Sequence, residues 1–210
     1  MDRAKQRVWI ATSLWLLAII AAAAFDRAMA SEAHAIQSDS FLRSHSHLRE
    51  AIKATGFYPF TIVLAIVIAV VHRTHWRAAV FLLVATLTAG LNEAIKWIAG
   101  RARPFKTITG DSPSLTPFEL HPFPPFSAKN LSFPSGHAAL AFATAASLGI
   151  LWPRGRWVFY GLATIVAAER VLENAHWLSD AVAAAALGVG GVTLVRYFLW
   201  DRKWGKRVDG

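Results

Sequence analysis

No cysteine occurs among the 210 residues. Its absence removes disulfides, thiolate nucleophiles, iron–sulfur clusters and the usual cysteine-built zinc sites. Charge is scarce as well: Asp, Glu, Lys and Arg make up 17% of the chain, against about 25% in ordinary soluble domains. Acids are the scarcer sign, 13 against 22 Lys and Arg, which leaves a net charge of +9. No internal repeat stands out. Hydrophobic residues reach 55% and mean hydropathy is +0.38, too apolar for a soluble domain and far from a disordered composition. The length predicts a single domain over residues 1–210.

Long hydrophobic runs fill the sequence instead. A helix that crosses a bilayer needs about 20 mostly apolar residues. Residues 8–25, 78–98 and 181–200 meet that length, the second interrupted by Glu93 and Lys96. Residues 57–71 and 138–152 are shorter. Residues 158–168 are shorter still, and span only if the helix continues through Glu169 to Leu172. Each run is apolar all round rather than striped at i, i+3, i+4, as suits a helix surrounded by lipid. The expected fold class is therefore all-α, an integral membrane bundle of six transmembrane helices. Trp76, Trp97, Trp152, Trp157, Trp177 and Trp200 fall at run ends, where an indole favours headgroup depth.

With the N-terminus in the cytoplasm, twelve Lys and Arg and three acids lie inside, and ten of each outside. The whole net charge then sits on one face, clustered beside helix ends as the positive-inside rule requires. The basic balance reads as topology and contact with anionic lipid, not as nucleic-acid binding. Both termini are expected in the cytoplasm of a bacterial inner membrane. A secretory signal ending at Ala28-Met29-Ala30 is the competing reading of the start. The run is long for that, and Asp26 and Arg27 intervene, so an uncleaved first helix is expected.

Two outer segments differ from the rest. Residues 26–56 carry Ile36, Leu42, Leu48 and Ile52 at helical spacing and are predicted to lie along the membrane surface. Residues 104–134 interleave seven prolines with five phenylalanines. That loop is expected to touch acyl chains or to form a substrate entry lip.

Three polar clusters fall on the same outer side. Lys96 is followed by six residues and then Arg103-Pro104; Pro134-Ser135-Gly136-His137 opens the fourth helix; Arg170, His176 and Asp180 end where the sixth begins. A charged residue at the centre of a membrane helix costs about 2.5–3.5 kcal/mol on insertion scales, so these need partners or a function. Lys96, Arg103 and Arg170 are fixed cations, two of them guanidiniums suited to a tetrahedral oxyanion. Ser135 and Gly136 stand at a helix start, where backbone N–H groups favour an anion and glycine allows close approach. His137 and His176 titrate near neutrality and can act as base, acid or nucleophile. Asp180, four residues beyond His176, can hold its imidazole. The set describes a phosphate pocket with covalent catalysis that requires no metal or cofactor.

Other features have plainer readings. Lys96 and Glu93 form an i, i+3 pair, with Lys96 favoured for function. Arg101 reads as a solvated or headgroup-binding neighbour, and Ser135 as a helix N-cap as well as a ligand. His45, His47, His72 and His75 lack ligand partners and read as surface residues. Gly188, Gly190 and Gly191 read as close helix-packing positions.

Lys-x6-Arg-Pro, Pro-Ser-Gly-His and Arg-x5-His-x3-Asp, in this order, resemble the type 2 phosphatidic acid phosphatase family, whose relatives include the vanadium haloperoxidases. The motifs span Lys96 to Asp180, and the helix layout extends the likeness over most of the chain. The resemblance implies that His176 attacks phosphorus and forms a phosphohistidine, with Asp180 orienting it. His137 would protonate the departing alcohol and then activate water. Lys96, Arg103, Ser135, Gly136 and Arg170 would neutralise the phosphate oxygens. One departure is Glu169, where the family usually has Ser before the motif-three Arg; an acid there can pair with Arg170 or repel a second phosphate. The function implied is a metal-independent lipid phosphatase at the outer, periplasmic face. Its substrate would be a hydrophobic-tailed phosphate or diphosphate: phosphatidate, phosphatidylglycerophosphate, undecaprenyl diphosphate or lipid A phosphate. A non-catalytic anion transporter or channel is the alternative, though it leaves the His176–Asp180 spacing unexplained. A haloperoxidase-like vanadate enzyme ranks lower.

Overall fold

The computed structural model describes residues 3–37, 46–71, 76–105 and 130–198. Nine α-helices occupy them: α1 Arg3–Ala24, α2 Asp26–Gln37, α3 Ser46–Thr55, α4 Tyr58–Val71, α5 Trp76–Leu87, α6 Leu91–Ala99, α7 Gly136–Leu151, α8 Arg156–Leu172 and α9 Leu178–Val195. Among the described residues the only β pairing is an isolated antiparallel bridge between Ala102 and Leu131.

Three helix boundaries fall where the sequence supplies a breaker. Gly56 separates α3 from α4, which meet at 62°. A Cβ at that position would come within 2.8 Å of Val166 Cγ1 and 2.9 Å of the His137 carbonyl oxygen, so only glycine fits. Gly100 closes α6 in the left-handed region, φ 59°, its N–H donating to the Lys96 carbonyl, as a helix stop by glycine requires. Pro153 follows α7 and starts a short 3-10 turn to Gly155.

α7 is the central helix, packed on α8, α9 and α5. Its buried face is mostly alanine, with Ala138, Ala139, Ala143 and Ala146 against Ala181, Ala184 and Val192. Small residues let helix backbones approach closely, which suits association where the surroundings are themselves apolar. Gly188 of α9 shows how close: a Cβ there would lie 2.5 Å from the Ala139 carbonyl oxygen and 2.9 Å from the Ala143 nitrogen. The packing expectation holds for Gly188 but not for Gly190, whose added Cβ would meet nothing within 4 Å. The outward faces of α1 and α4 expose Val8, Leu14, Leu17, Ile62, Ile66 and Val70.

Among the described residues one helix can cross a membrane by length and composition, Leu178–Phe198, or up to three spans if the bent pairs Val8–Ala24 with Asp26–Ile36 and His47–Thr55 with Tyr58–Val70 each count. The run at 78–98 is not one helix. It breaks at a 3-10 turn, Thr88–Gly90, between α5 and α6. α8 does continue through Glu169 to Leu172. The described residues of the segment at 26–56 form two helices, α2 and α3, with Ile36 and Leu48 exposed; Leu42 lies outside the described residues. So do His45, His72, His75, Trp200 and most of the Pro- and Phe-rich loop. Trp76, Trp97, Trp152 and Trp157 are exposed at helix ends, whereas Trp177 is buried, 3% exposed. Its indole N–H donates to the Ala102 carbonyl at 2.9 Å, which makes it a core strut rather than an interfacial anchor.

Candidate active site

The C-terminal ends of α6 and α8 and the N-terminal ends of α2, α7 and α9 meet at one end of the bundle. α6 is amphipathic and buries Asn92, Lys96 and Ala99. Lys96 Nζ donates to Glu93 Oε1 at 2.8 Å, across an i, i+3 spacing, with Glu93 largely exposed. Past Gly100 the helix has ended, and Ala102 forms the isolated bridge with Leu131. Ser132 N–H donates to the Arg101 carbonyl at 2.7 Å, and Arg103 Nε to the Leu131 carbonyl at 3.2 Å. The first motif is thereby laced to the segment leading into the second.

The second motif starts α7. Ser135 occupies the N-cap position, φ −74° and ψ 115°, but its hydroxyl caps nothing. Ser135 Oγ is buried with no hydrogen-bond partner among the described residues, and the same is true of the Asn92 side-chain amide. The capping role expected of Ser135 is therefore corrected. Gly136 is where the first two motifs meet: a Cβ there would lie 3.2 Å from Asn92 Nδ2 and 3.6 Å from Lys96 Nζ. Without a side chain, the helix start and its N–H groups stand open to the ammonium and to any anion it holds. His137 stacks on Phe57, ring centroids 5.9 Å apart and planes 18° off parallel.

The third motif follows α8. Asn174 takes a left-handed φ of 53° and the chain reverses into α9. His176 N–H donates to the Arg170 carbonyl at 3.3 Å, and Phe105 N–H to the Asn174 carbonyl at 3.2 Å. The second bond ties motif three to motif one. His176 Nδ1 lies 2.7 Å from the Ser132 carbonyl oxygen. A carbonyl only accepts, so Nδ1 carries the hydrogen and Nε2 keeps its lone pair. Asp180 Oδ2 is 3.7 Å from Nδ1, beyond hydrogen-bond range. The group that directly orients His176 is thus the Ser132 carbonyl, with Asp180 one step behind. Asp180 accepts from the Ser132 hydroxyl, from Arg101 Nη1, and from Trp177 N–H at 2.9 Å.

Arg101 is not a solvated neighbour. It is 3% exposed and lies between Asp26 and Asp180, both 0% exposed. Its Nη2 donates to Asp26 Oδ2 at 2.7 Å, its Nη1 to Ser179 Oγ at 2.8 Å and to Asp180, and its guanidinium sits 5.2 Å from the Trp177 ring centroid. Asp26 also accepts from Ser179 N–H at 2.9 Å and from its hydroxyl at 2.6 Å. Charges this deep are stable only when paired and hydrogen-bonded, and here one cation joins the starts of α2 and α9 to the loop after α6. Arg170 has its own partners. Its Nη1 donates to Glu173 and, at 3.4 Å, to Glu169, while Arg49 of α3 reaches both carboxylates at 3.5 Å. Glu169 therefore pairs with Arg170, as one of its two expected roles. Arg170 Nε is buried without a partner among the described residues.

Electrostatically the three motifs form one site. Arg103 and Arg170 both act on His176; Arg170, His176, Lys53 and Lys96 all act on His137. Burial pulls the His176 pKa down from 6.5 to about 4, against the opposing pull of Asp180 and with added push from Arg103 and Arg170. The imidazole is therefore neutral, and its Nε2 unprotonated, across the physiological range. Burial and the neighbouring Arg170 also lower Arg103, which remains charged as a guanidinium. Among the described residues no group of three or more His, Asp or Glu has metal-holding geometry.

Residues 77–204 match the PAP2 superfamily. The chain belongs to the PAP2 superfamily. A lipid A 1-phosphatase of Rhizobium etli is 34% identical over 127 residues, 60% of this chain and 52% of that protein. A lipid A 1-phosphatase of Rhizobium johnstonii is 31% identical over 115 residues, 54% of this chain and 44% of that protein. The chain thus spans about half the length of the curated relatives it matches. The crystal structure of a PAP2 type phosphatidylglycerolphosphate phosphatase from Bacillus subtilis superposes with a TM-score of 0.64, covering 92% of this chain and 97% of that one at 24% identity; this likeness concerns the fold. All eight expected site residues lie in the PAP2-matching region. Asp26, Arg49, Gly56 and Phe57, which touch the site or its supports, lie before it. Asp26 alone had a signal, an acid closing an apolar run, where an ionisable group calls for a partner.

Proposed function

We propose that this PAP2 protein is a membrane-embedded lipid phosphatase that works through a phosphohistidine on His176. The observation that carries the reading is the Ser132 carbonyl on His176 Nδ1, which leaves a neutral Nε2 under the fields of Arg103 and Arg170. In the first step Nε2 attacks phosphorus and the ester P–O bond breaks, while His137, held as the imidazolium by the negative charge of the bound phosphate, gives its extra proton to the departing alkoxide and becomes neutral. In the second, His137 takes a proton from water, the hydroxide attacks phosphorus, and the P–N bond breaks to free phosphate and His176. Lys96, Arg103, Arg170, the Ser135 hydroxyl and the α7 N-terminus would hold the phosphate oxygens. Such positioning and charge stabilisation is most of what phosphoryl transfer asks of a protein.

The crossing helix Leu178–Phe198, the two bent apolar pairs, the shorter apolar helix α7 and the outward apolar faces of α1 and α4 support a membrane bundle, and the six apolar runs of the sequence support six spans. The positive-inside count supports a periplasmic site with both termini in the cytoplasm. A hydrophobic-tailed substrate is supported by an apolar cavity of about 300 Å³ beside the α3–α4 corner, lined by Ile52, Thr55, Phe60, Ala141, Phe159 and Val166. Among phosphatidate, phosphatidylglycerophosphate, undecaprenyl diphosphate and lipid A phosphate, the two Rhizobium relatives make lipid A phosphate the first to test.

The test is a phosphate-release screen of the detergent-purified protein on those four lipids, with and without EDTA. Release from at least one, lost in His176→Ala and unaffected by EDTA, is expected. Turnover by His176→Ala near the parent rate, or a strict Mg²⁺ requirement, would overturn the mechanism. Anion flux without phosphate release would favour the transporter reading.

A further inference from the structure

The corner between α3 and α4 touches His137 twice. Phe57 lies nearly parallel to the imidazole, 18° off, with centroids 5.9 Å apart, inside the range of an offset aromatic stack. Next to it, Gly56 is packed so tightly that an added Cβ would fall 2.9 Å from the His137 carbonyl oxygen and 3.3 Å from its Cβ. Val166 of α8, at 2.8 Å from the same point, closes the other side. The corner is therefore seated against both the backbone and the ring of His137. Both residues lie before the PAP2-matching region, 77–204, and neither carries a group that could transfer a proton or bind phosphate.

We propose that Phe57 is a positioning residue for His137, with Gly56 setting the distance at which the two rings stack. The inference rests on the phosphatase reading, in which His137 delivers a proton to the leaving alkoxide. An imidazole at a helix start has two rotatable bonds, and rotation about either takes its N–H off the line to the leaving oxygen. The Phe57 ring covers one imidazole face and removes part of that freedom. General acid help is needed in proportion to the basicity of the leaving group, so a loosened His137 slows alkyl esters more than activated aryl esters. A merely structural role for Phe57 slows both alike.

The experiment compares Phe57→Leu, Phe57→Tyr and the parent protein in detergent, on a long-chain alkyl phosphate and on p-nitrophenyl phosphate. An aromatic pair is worth about 0.5–1.5 kcal/mol, which converts to roughly a 2–13-fold rate effect at 1.36 kcal/mol per tenfold. Phe57→Leu is expected to lose several-fold more on the alkyl ester than on the aryl ester. Phe57→Tyr, which keeps the ring, is expected to restore the parent ratio. Equal losses on the two esters, or a Phe57→Tyr ratio no better than that of Phe57→Leu, would overturn the proposal. If Phe57→Leu does not fold, Phe57→Met takes its place: its loss on the alkyl ester must exceed that on the aryl ester several-fold while Phe57→Tyr keeps the parent ratio, and equal losses overturn the proposal. Failure of the underlying reading is separately visible, because His176→Ala would then keep its turnover on both esters.

Discussion

Replacing Arg101 by methionine removes the charge and keeps most of the side chain's volume. What it leaves behind is severe. Asp26 and Asp180, both fully buried, lose their shared cation, and the Ser179 hydroxyl, which now accepts from Arg101 and donates to Asp26, is left between two acids. Breaking a buried ion pair by deleting one partner costs about 3–5 kcal/mol. The guanidinium's contact with Trp177, at 5.2 Å, adds about 1 kcal/mol. A total near 5 kcal/mol follows, or a fall of roughly 10–20 °C in Tm for a chain of this length. Asp26→Asn keeps the shape and removes one of two like charges, so its cost should stay near 1–2 kcal/mol, the loss of one charge-assisted bond. Thermal unfolding in detergent micelles reads both. A cost for Arg101→Met below about 1 kcal/mol, as for an ordinary surface change, would mean that Arg101 is solvated and the buried network is wrong. So would a larger cost for Asp26→Asn than for Arg101→Met.

Gly188→Val forces a side chain against the Ala139 carbonyl and the Ala143 nitrogen, backbone atoms that cannot yield, and should cost at least about 1–3 kcal/mol as overpacking; Gly190→Ala, which meets nothing within 4 Å, should be neutral or stabilising in the same melt. Ser135→Ala removes a buried hydroxyl without a partner among the described residues, so Tm should hold while inhibition by inorganic phosphate weakens up to about tenfold, one hydrogen bond. Unchanged phosphate inhibition would remove Ser135 from the phosphate site. The acid limb of kcat/KM due to His176 should lie near pH 4 rather than 6.5, because burial keeps Nε2 unprotonated down to about that pH. Protonation consumes the attacking lone pair, so activity falls as pH drops through that value; a limb at 6.5 that moves on mutating His176 would contradict the buried geometry.

The order and spacing of the three motifs were enough to bring Lys96, Gly136, His176 and their neighbours to one end of the bundle, because phosphate chemistry fixes both residue types and helix ends. The continuation of α8 to Leu172 was only a condition in the sequence, and the structure meets it where Arg170 pairs with Glu169 and Glu173. Sequence reading fails where a partner lies far away in the chain. Arg101 looks like one more loop cation until Asp26, 75 residues earlier, and Asp180, 79 later, close around it. Trp177 follows the indole pattern of a helix end, yet a carbonyl of the α6–α7 loop draws it inward. The Ser132 carbonyl on His176 leaves no trace at all, because any residue offers a backbone oxygen. Hydropathy likewise marks the run at 78–98 as interrupted only at Glu93 and Lys96 and passes over the turn at Thr88–Gly90 that divides it.

The most direct test of the shared site is an experimental structure of the protein with vanadate, which adopts the five-coordinate shape of phosphorus in transfer. Vanadium bonded to His176 Nε2, with its oxygens on Lys96, Arg103, Arg170 and the N–H groups at the start of α7 and His137 opposite the attacking nitrogen, is the expected result. Vanadate bound away from His176, or Arg103, His137 and His176 unable to reach one common ion, would contradict it.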